Sequence, residues 1–124
     1  MNMKQFVLSN GEELIAELIT WPDPEKPEDY SAIVKNPAQI IMTEEALDEG
    51  IRYYVFRPYV TMQEHDCLIT LSIGHVISMA LPNDKLVEQY KHFLNAQRMN
   101  EAEEQMANAD VSATNVIKFD KIIH

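Results

Sequence analysis

Between Leu68 and Leu81 apolar and polar residues alternate with a period of two, and after Pro82 the period lengthens to that of a helix. Two periods on either side of one proline constrain the fold more than any other feature: β structure up to residue 82, then an amphipathic α-helix. Ile69, Leu71, Ile73, Ile77, Met79 and Leu81 hold the odd positions and Thr70, Ser72, Gly74 and Ser78 the even ones, with His75 interrupting the apolar side. This predicts one buried and one polar face. The stretch exceeds an ordinary strand, so a bend or tight connection is expected at Gly74-His75. Beyond Pro82, Asn83 is placed to cap, Asp84 suits a first turn, and Leu86, Tyr90, Phe93, Leu94 and Gln97 trace one helical stripe. Residues 98–110 keep a helix-forming composition with only Met99 and Met106 as sizeable apolar groups, so that half is expected to project into solvent or fray.

Upstream, Asn10-Gly11 separates two apolar runs, and this dipeptide accepts the positive φ angles of a tight hairpin. In the second run Leu14, Ala16 and Leu18 share one pleat face, and Ile15, Glu17 and Ile19 the other. Three prolines and four acids between Trp21 and Asp29 predict a solvated loop. Residues 30–42 resume a β composition, with Asn36-Pro37 expected to bend the strand into two pieces. Residues 44–50 are acidic, and the following run from Ile51 to Met62 is apolar on both faces. The organisation read from this is a β domain over residues 1–82, a helix over 83–110, and a segment over 111–124. The apolar residues of that last segment, Val116, Ile117, Phe119, Ile122 and Ile123, suit a short extra strand and call for a partner such as another subunit.

Composition excludes more than it names. In 124 residues there are 20 acids against 10 Lys and Arg, a formal charge of −10, with the excess spread over both halves. Broad phosphate neutralisation by a basic face is thereby disfavoured, which leaves nucleic-acid binding through a few local contacts repeated by symmetry. With 46% apolar and 24% charged residues the chain is expected to fold as one domain. The absence of a long apolar stretch and of a basic-then-apolar start predicts a soluble, cytoplasmic protein. One cysteine, Cys67, allows neither an internal disulfide nor a cysteine zinc cage. Three glycines provide no phosphate-cradling loop, and neither an enzyme nor a cofactor is expected.

The run Phe6-Val7-Leu8-Ser9-Asn10-Gly11-Glu12-Glu13-Leu14-Ile15-Ala16-Glu17-Leu18 resembles the first motif of Sm-like (LSm) proteins, with its glycine-centred hairpin and following strand. Ile73-Gly74-His75-Val76-Ile77 is similar in position to the turn of the second motif. The wording is closest to the divergent Sm-like proteins of marine cyanophages and related metagenomic sequences, and the resemblance covers roughly residues 4 to 81. It implies a mostly β fold, a small, strongly bent antiparallel Sm-like barrel or sheet, here followed by a C-terminal α-helix. It also implies self-association into a ring of about five to seven subunits by edge-strand pairing, and short single-stranded RNA as a partner. Departures stand beside it. Ala16 occupies a common glycine position, Ile73 replaces an arginine, and the RNA-loop signature survives as Val34-Lys35-Asn36.

Under that resemblance Lys35, Asn36 and His75 are the candidate RNA-binding residues. Lys35 would contact a phosphate as a point charge, Asn36 would read a base edge, and His75 would stack on a base or hydrogen-bond it. The plainer alternative makes Asn36-Pro37 a turn beside an exposed lysine, and His75 a solvated loop residue. Tyr53, Tyr54, Phe56 and Tyr59 read as core or subunit interface before stacking platform. Cys67 near His65 or His75 reads as structural, since no orienting third group accompanies it. Glu44, Glu45, Asp48 and Glu49 lack the order of a calcium loop. Two functions remain open: a ring that holds RNA or scaffolds a ribonucleoprotein, and an acidic homo-oligomeric scaffold for a basic or apolar protein partner.

Overall fold

A computed structural model describes residues 1–26, 28, 30–43 and 53–112. Six strands, β1 (Met3–Leu8), β2 (Glu13–Thr20), β3 (Ser31–Thr43), β4 (Tyr53–Pro58), β5 (Leu68–Ser72) and β6 (Val76–Ala80), precede one helix, α1 (Asp84–Ser112). All pairings are antiparallel. The first hairpin forms where the sequence predicts it: Gly11 takes φ +86°, its N–H donates to the Leu8 carbonyl, and Asn10 Oδ1 accepts the Glu12 N–H at 3.0 Å. The described residues of the next loop are exposed except the buried Pro22.

The sheet order is β4-β3-β2-β1-β6, with β5 also on β3. β3 is long enough to serve two partners along one edge. Its first half, Ser31 to Lys35, pairs with β5, and its second half, Ala38 to Thr43, pairs with β4. The switch falls at Asn36-Pro37, where Asn36 takes φ +54° and the register against β2 shifts. The expected bend is thus a kink within one continuous strand. A 3-10 turn, Ile73–His75, carries the chain from β5 to β6, tied by Ile73 N–H to the Tyr30 carbonyl and by Ser9 N–H to the His75 carbonyl. No ladder joins β5 to β6, so the sheet is open and a closed barrel is not formed.

Both sheet faces are covered, for different reasons. Phe6, Leu8, Leu14, Ala16, Ala32, Val34 and Leu71 make one cluster inside the bend. Met3, Ile15, Ala38 and Ile40 on the opposite face pack with Tyr90, flanked by Phe56, Leu86, Val87, Phe93 and Leu94. The alternation Leu14/Ile15/Ala16 therefore serves two cores, and the helical stripe of α1 covers the second. Asn83 Oδ1 accepts the Leu86 N–H at 2.8 Å, the N-cap bond expected there.

Two expectations are corrected. Ile69 and Leu71 point inward, but Ile77, Met79 and Leu81 are exposed, because β6 is an edge strand and a register irregularity at Val7/Leu8 interrupts its ladder with β1. The apolar run through Met62 ends as a strand at Pro58, since residues 59–67 leave the sheet to form a loop. Helix α1 extends to Ser112. Residues 44–52 and the anticipated extra strand in residues 113–124 lie outside the described residues. Among the described residues no helix is long and apolar enough to cross a membrane.

Candidate functional site

The kink of β3 organises the site. Asn36 is 5% exposed, and its backbone N–H donates to the Cys67 carbonyl at 3.1 Å. Its Oδ1 accepts the Asp66 N–H at 2.7 Å, and its Nδ2 lies 3.5 Å from Asp66 Oδ1. From the other side Tyr90 Oη donates to the Asn36 carbonyl at 2.5 Å. Asn36 therefore joins β3, the 59–67 loop and α1 at one point. Asn36, Met62 and Asp66 all have positive φ, a region that Asn and Asp tolerate better than Met does. The two tolerant residues are bonded to each other.

Charge gathers on Asp66. Lys35 Nζ lies 3.6 Å and His65 Nε2 3.3 Å from Asp66 Oδ1. Desolvation pushes the Asp66 carboxyl up, but the Asn36 amide and the charges of His65 and Lys35 outweigh it, leaving the group below its ordinary value. Helix α1 fastens the loop again: Glu101 Oε1 accepts the His65 N–H at 2.5 Å, and Gln97 Nε2 donates to the Gln63 carbonyl at 3.1 Å. Gln63 in turn donates to the Pro37 carbonyl and accepts the Val60 N–H. Burial, with Glu17 and Cys67 adding to it, raises the Tyr90 phenol, so it stays a neutral donor.

His75 sits elsewhere. Lys35 stands opposite Leu68 and Ser31 opposite Ser72, so the length of β5, about 13 Å at the usual rise, separates the kink from the turn that carries His75. Its Nδ1 lies 3.1 Å from Ser9 Oγ. Both residues line a cleft of about 400 Å³ that has Leu8 and Leu71 as apolar walls and Asn10, Tyr59, Thr70 and Ser72 around them. The structure thus joins Lys35 and Asn36 with His65 and Asp66, and puts His75 with Ser9. Asn36, the candidate base reader, is buried with its amide turned to Asp66, while Lys35 keeps a third of its side chain exposed.

The clamp residues Gln63, His65, Asp66, Gln97 and Glu101 escape sequence reading, because the 59–67 loop has no Gly or Pro after Pro58 to announce its turns. Cys67 is half-buried, and burial together with Glu64 and Glu101 raises its thiol, the opposite of what an activated nucleophile requires. Tyr59, just beyond β4, packs against the first core and Phe56 against the second. Among the described residues no group of three His, Cys, Asp or Glu side chains is placed to hold a metal ion. Neither a protein-family model nor a curated protein matches the chain.

Proposed function

We propose that the protein is a homo-oligomeric scaffold of Sm-like design, in which the β5 edge of one subunit pairs with the β6 edge of the next to close a ring of about five to seven copies. The observation that carries this is the state of those edges. Among the described strands β5 pairs only with β3 and β6 only with β1, and Leu68, Ile77, Met79 and Leu81 on or beside them are exposed. Unpaired edges bearing apolar side chains invite strand addition, and pairing would satisfy their free N–H and C=O groups while covering those residues. The two edges differ, so the contact is head-to-tail, the kind that closes into rings.

The acidic scaffold is favoured over an RNA ring because the Asn36 amide is spent on Asp66, Lys35 lies against that carboxylate, and the chain carries −10. Such a ring would present a negative surface to a basic or apolar protein. A second reading, short single-stranded RNA, draws on the cleft beside His75, Ser9 and Tyr59, where a base would find an aromatic wall and hydroxyl groups. Light scattering on the wild type should return the mass of several chains, and Leu68→Lys with Ile77→Lys should return that of one. A wild type with the mass of one chain at micromolar concentration overturns the ring. Fluorescence anisotropy with U-rich and A-rich oligonucleotides at low salt separates the two ligands. The scaffold reading expects no saturation up to about 100 μM, a level no better than nonspecific association, and tighter binding that weakens in His75→Ala supports RNA instead.

A further inference from the structure

Of the chain's asparagines only Asn10 is followed by a glycine. That order carries chemistry of its own, because the backbone nitrogen after an asparagine can attack the side-chain amide, and a glycine leaves the approach unhindered. Asn36 has no such route, since the proline after it has no N–H to lose. At the hairpin tip the approach is open: Asn10 is exposed, and a Cβ placed on Gly11 would meet nothing within 4 Å. Three hydrogen bonds oppose the attack. The Gly11 N–H donates to the Leu8 carbonyl at 2.9 Å, so the attacking nitrogen keeps its proton. Asn10 Oδ1 accepts the Glu12 N–H at 3.0 Å and Nδ2 donates to Glu12 Oε1, which hold the amide toward Glu12.

We propose that Asn10 is a site of spontaneous deamidation, held back by the closed hairpin tip and released by its local opening. Solvent base takes the Gly11 amide proton, the nitrogen bonds to Asn10 Cγ, the Cγ–Nδ2 bond breaks, and Nδ2 leaves as ammonia. Water then opens the cyclic imide at either carbonyl to give aspartate or isoaspartate, with nothing oxidised or reduced. Both products change the tip. Each adds a negative charge beside Glu12 and Glu13, and isoaspartate routes the chain through Cγ, which lengthens the backbone by one methylene between the paired strands β1 and β2. Ser9, the preceding residue, ties the hairpin to the 3-10 turn: its N–H donates to the His75 carbonyl at 2.7 Å, and its Oγ lies 3.1 Å from His75 Nδ1. Deamidation at Asn10 therefore loosens the turn that leads into β6.

The test follows Asn10 by peptide mass spectrometry in the full chain at mildly alkaline pH, native and in concentrated urea, with enzymatic methylation of isoaspartate as a second readout. In urea Asn10 should convert faster than any other asparagine. In the native protein it should convert about tenfold more slowly than in urea, the protection that a few exposed hydrogen bonds give when reaction proceeds from a locally opened state. Native Glu12→Ala should convert about fivefold faster than wild type, the effect of losing one such bond, while Glu12→Gln, whose amide oxygen still accepts from Nδ2, should keep the wild-type rate. Equal rates in native and unfolded wild type would overturn the proposal, as would Glu12→Ala converting no faster than Glu12→Gln. The deamidated fraction, separated by its added charge, should exchange its Ser9 amide about tenfold faster than the unmodified fraction, as loss of a local tie requires. Equal Ser9 exchange in the two fractions would overturn the effect on the turn.

Discussion

Asn36 ties three parts of the molecule together: β3, the 59–67 loop and α1. It combines a left-handed backbone, an amide that accepts the Asp66 N–H, and a carbonyl that receives the Tyr90 hydroxyl. Alanine would retain the backbone N–H and carbonyl but leave the Asp66 N–H unpaired, and it tolerates the left-handed region less well than asparagine does. Asn36→Ala should therefore cost roughly 3 kcal/mol in urea unfolding, and Asn36→Gly about 1 kcal/mol less, because glycine removes the backbone term. Equal losses would show that the backbone conformation contributes nothing. Asp66 gives a pH prediction. Its folded carboxyl titrates below the ordinary 3.8, so its stabilising contribution is complete above that value and disappears as pH falls through the lower folded one. The Asp66 amide and the Asn36 side-chain NH₂ resonances should shift together, with a midpoint under 3.8.

At the scale of elements, α1 does two jobs along one stripe. Leu86, Tyr90, Phe93 and Leu94 cover the second core, and Gln97 and Glu101, further along, fasten the 59–67 loop. Phe93 lies 5.9 Å from Phe56, centroid to centroid. Phe93→Ala should cost about 2 kcal/mol, less than for a fully buried phenylalanine because Phe93 is half-buried. If α1 docks as one piece, the same substitution should speed amide exchange at His65 and Asp66, far from it in sequence. Unchanged exchange there would mean that the loop holds without the helix. The strands also show what pattern can convey. Alternation in β2 separated its faces correctly, since Leu14 and Ala16 enter one core and Ile15 the other, whereas the same alternation in β6 did not predict burial, and Ile77, Met79 and Leu81 are exposed.

For the whole molecule, the open sheet is the consequential feature. A single chain leaves β5 and β6 each with an unpaired edge among the described residues, and exposes Leu68, Ile77, Met79 and Leu81 around them. In the proposed ring, head-to-tail pairing would relieve both edges at once, so blocking either should suffice to stop growth. Leu68→Lys alone and Ile77→Lys alone should each lower the mass seen by light scattering, and an equimolar mixture of the two variants should form dimers through their remaining intact edges. Failure of that mixture to pair would argue against a β5-to-β6 contact.

Local chemistry was legible because it acts over a few residues. Asn10-Gly11 specified the hairpin, the change of period at Pro82 separated strand from helix, Asn83 marked the cap, and alternation assigned Leu14 and Ala16 to one face of β2 and Ile15 to the other. The rest depends on groups far apart in the chain. Nothing in residues 59–67 indicates that Asp66 will meet Asn36, or that Glu101 will accept the His65 N–H across 36 positions. Nor does the run from Leu68 to Leu81 reveal that Ile69 and Leu71 pack inward while Ile77, Met79 and Leu81 stay exposed. Burial and charge pairing are properties of neighbours in space, and here the curl of the sheet and the docking of α1 chose those neighbours.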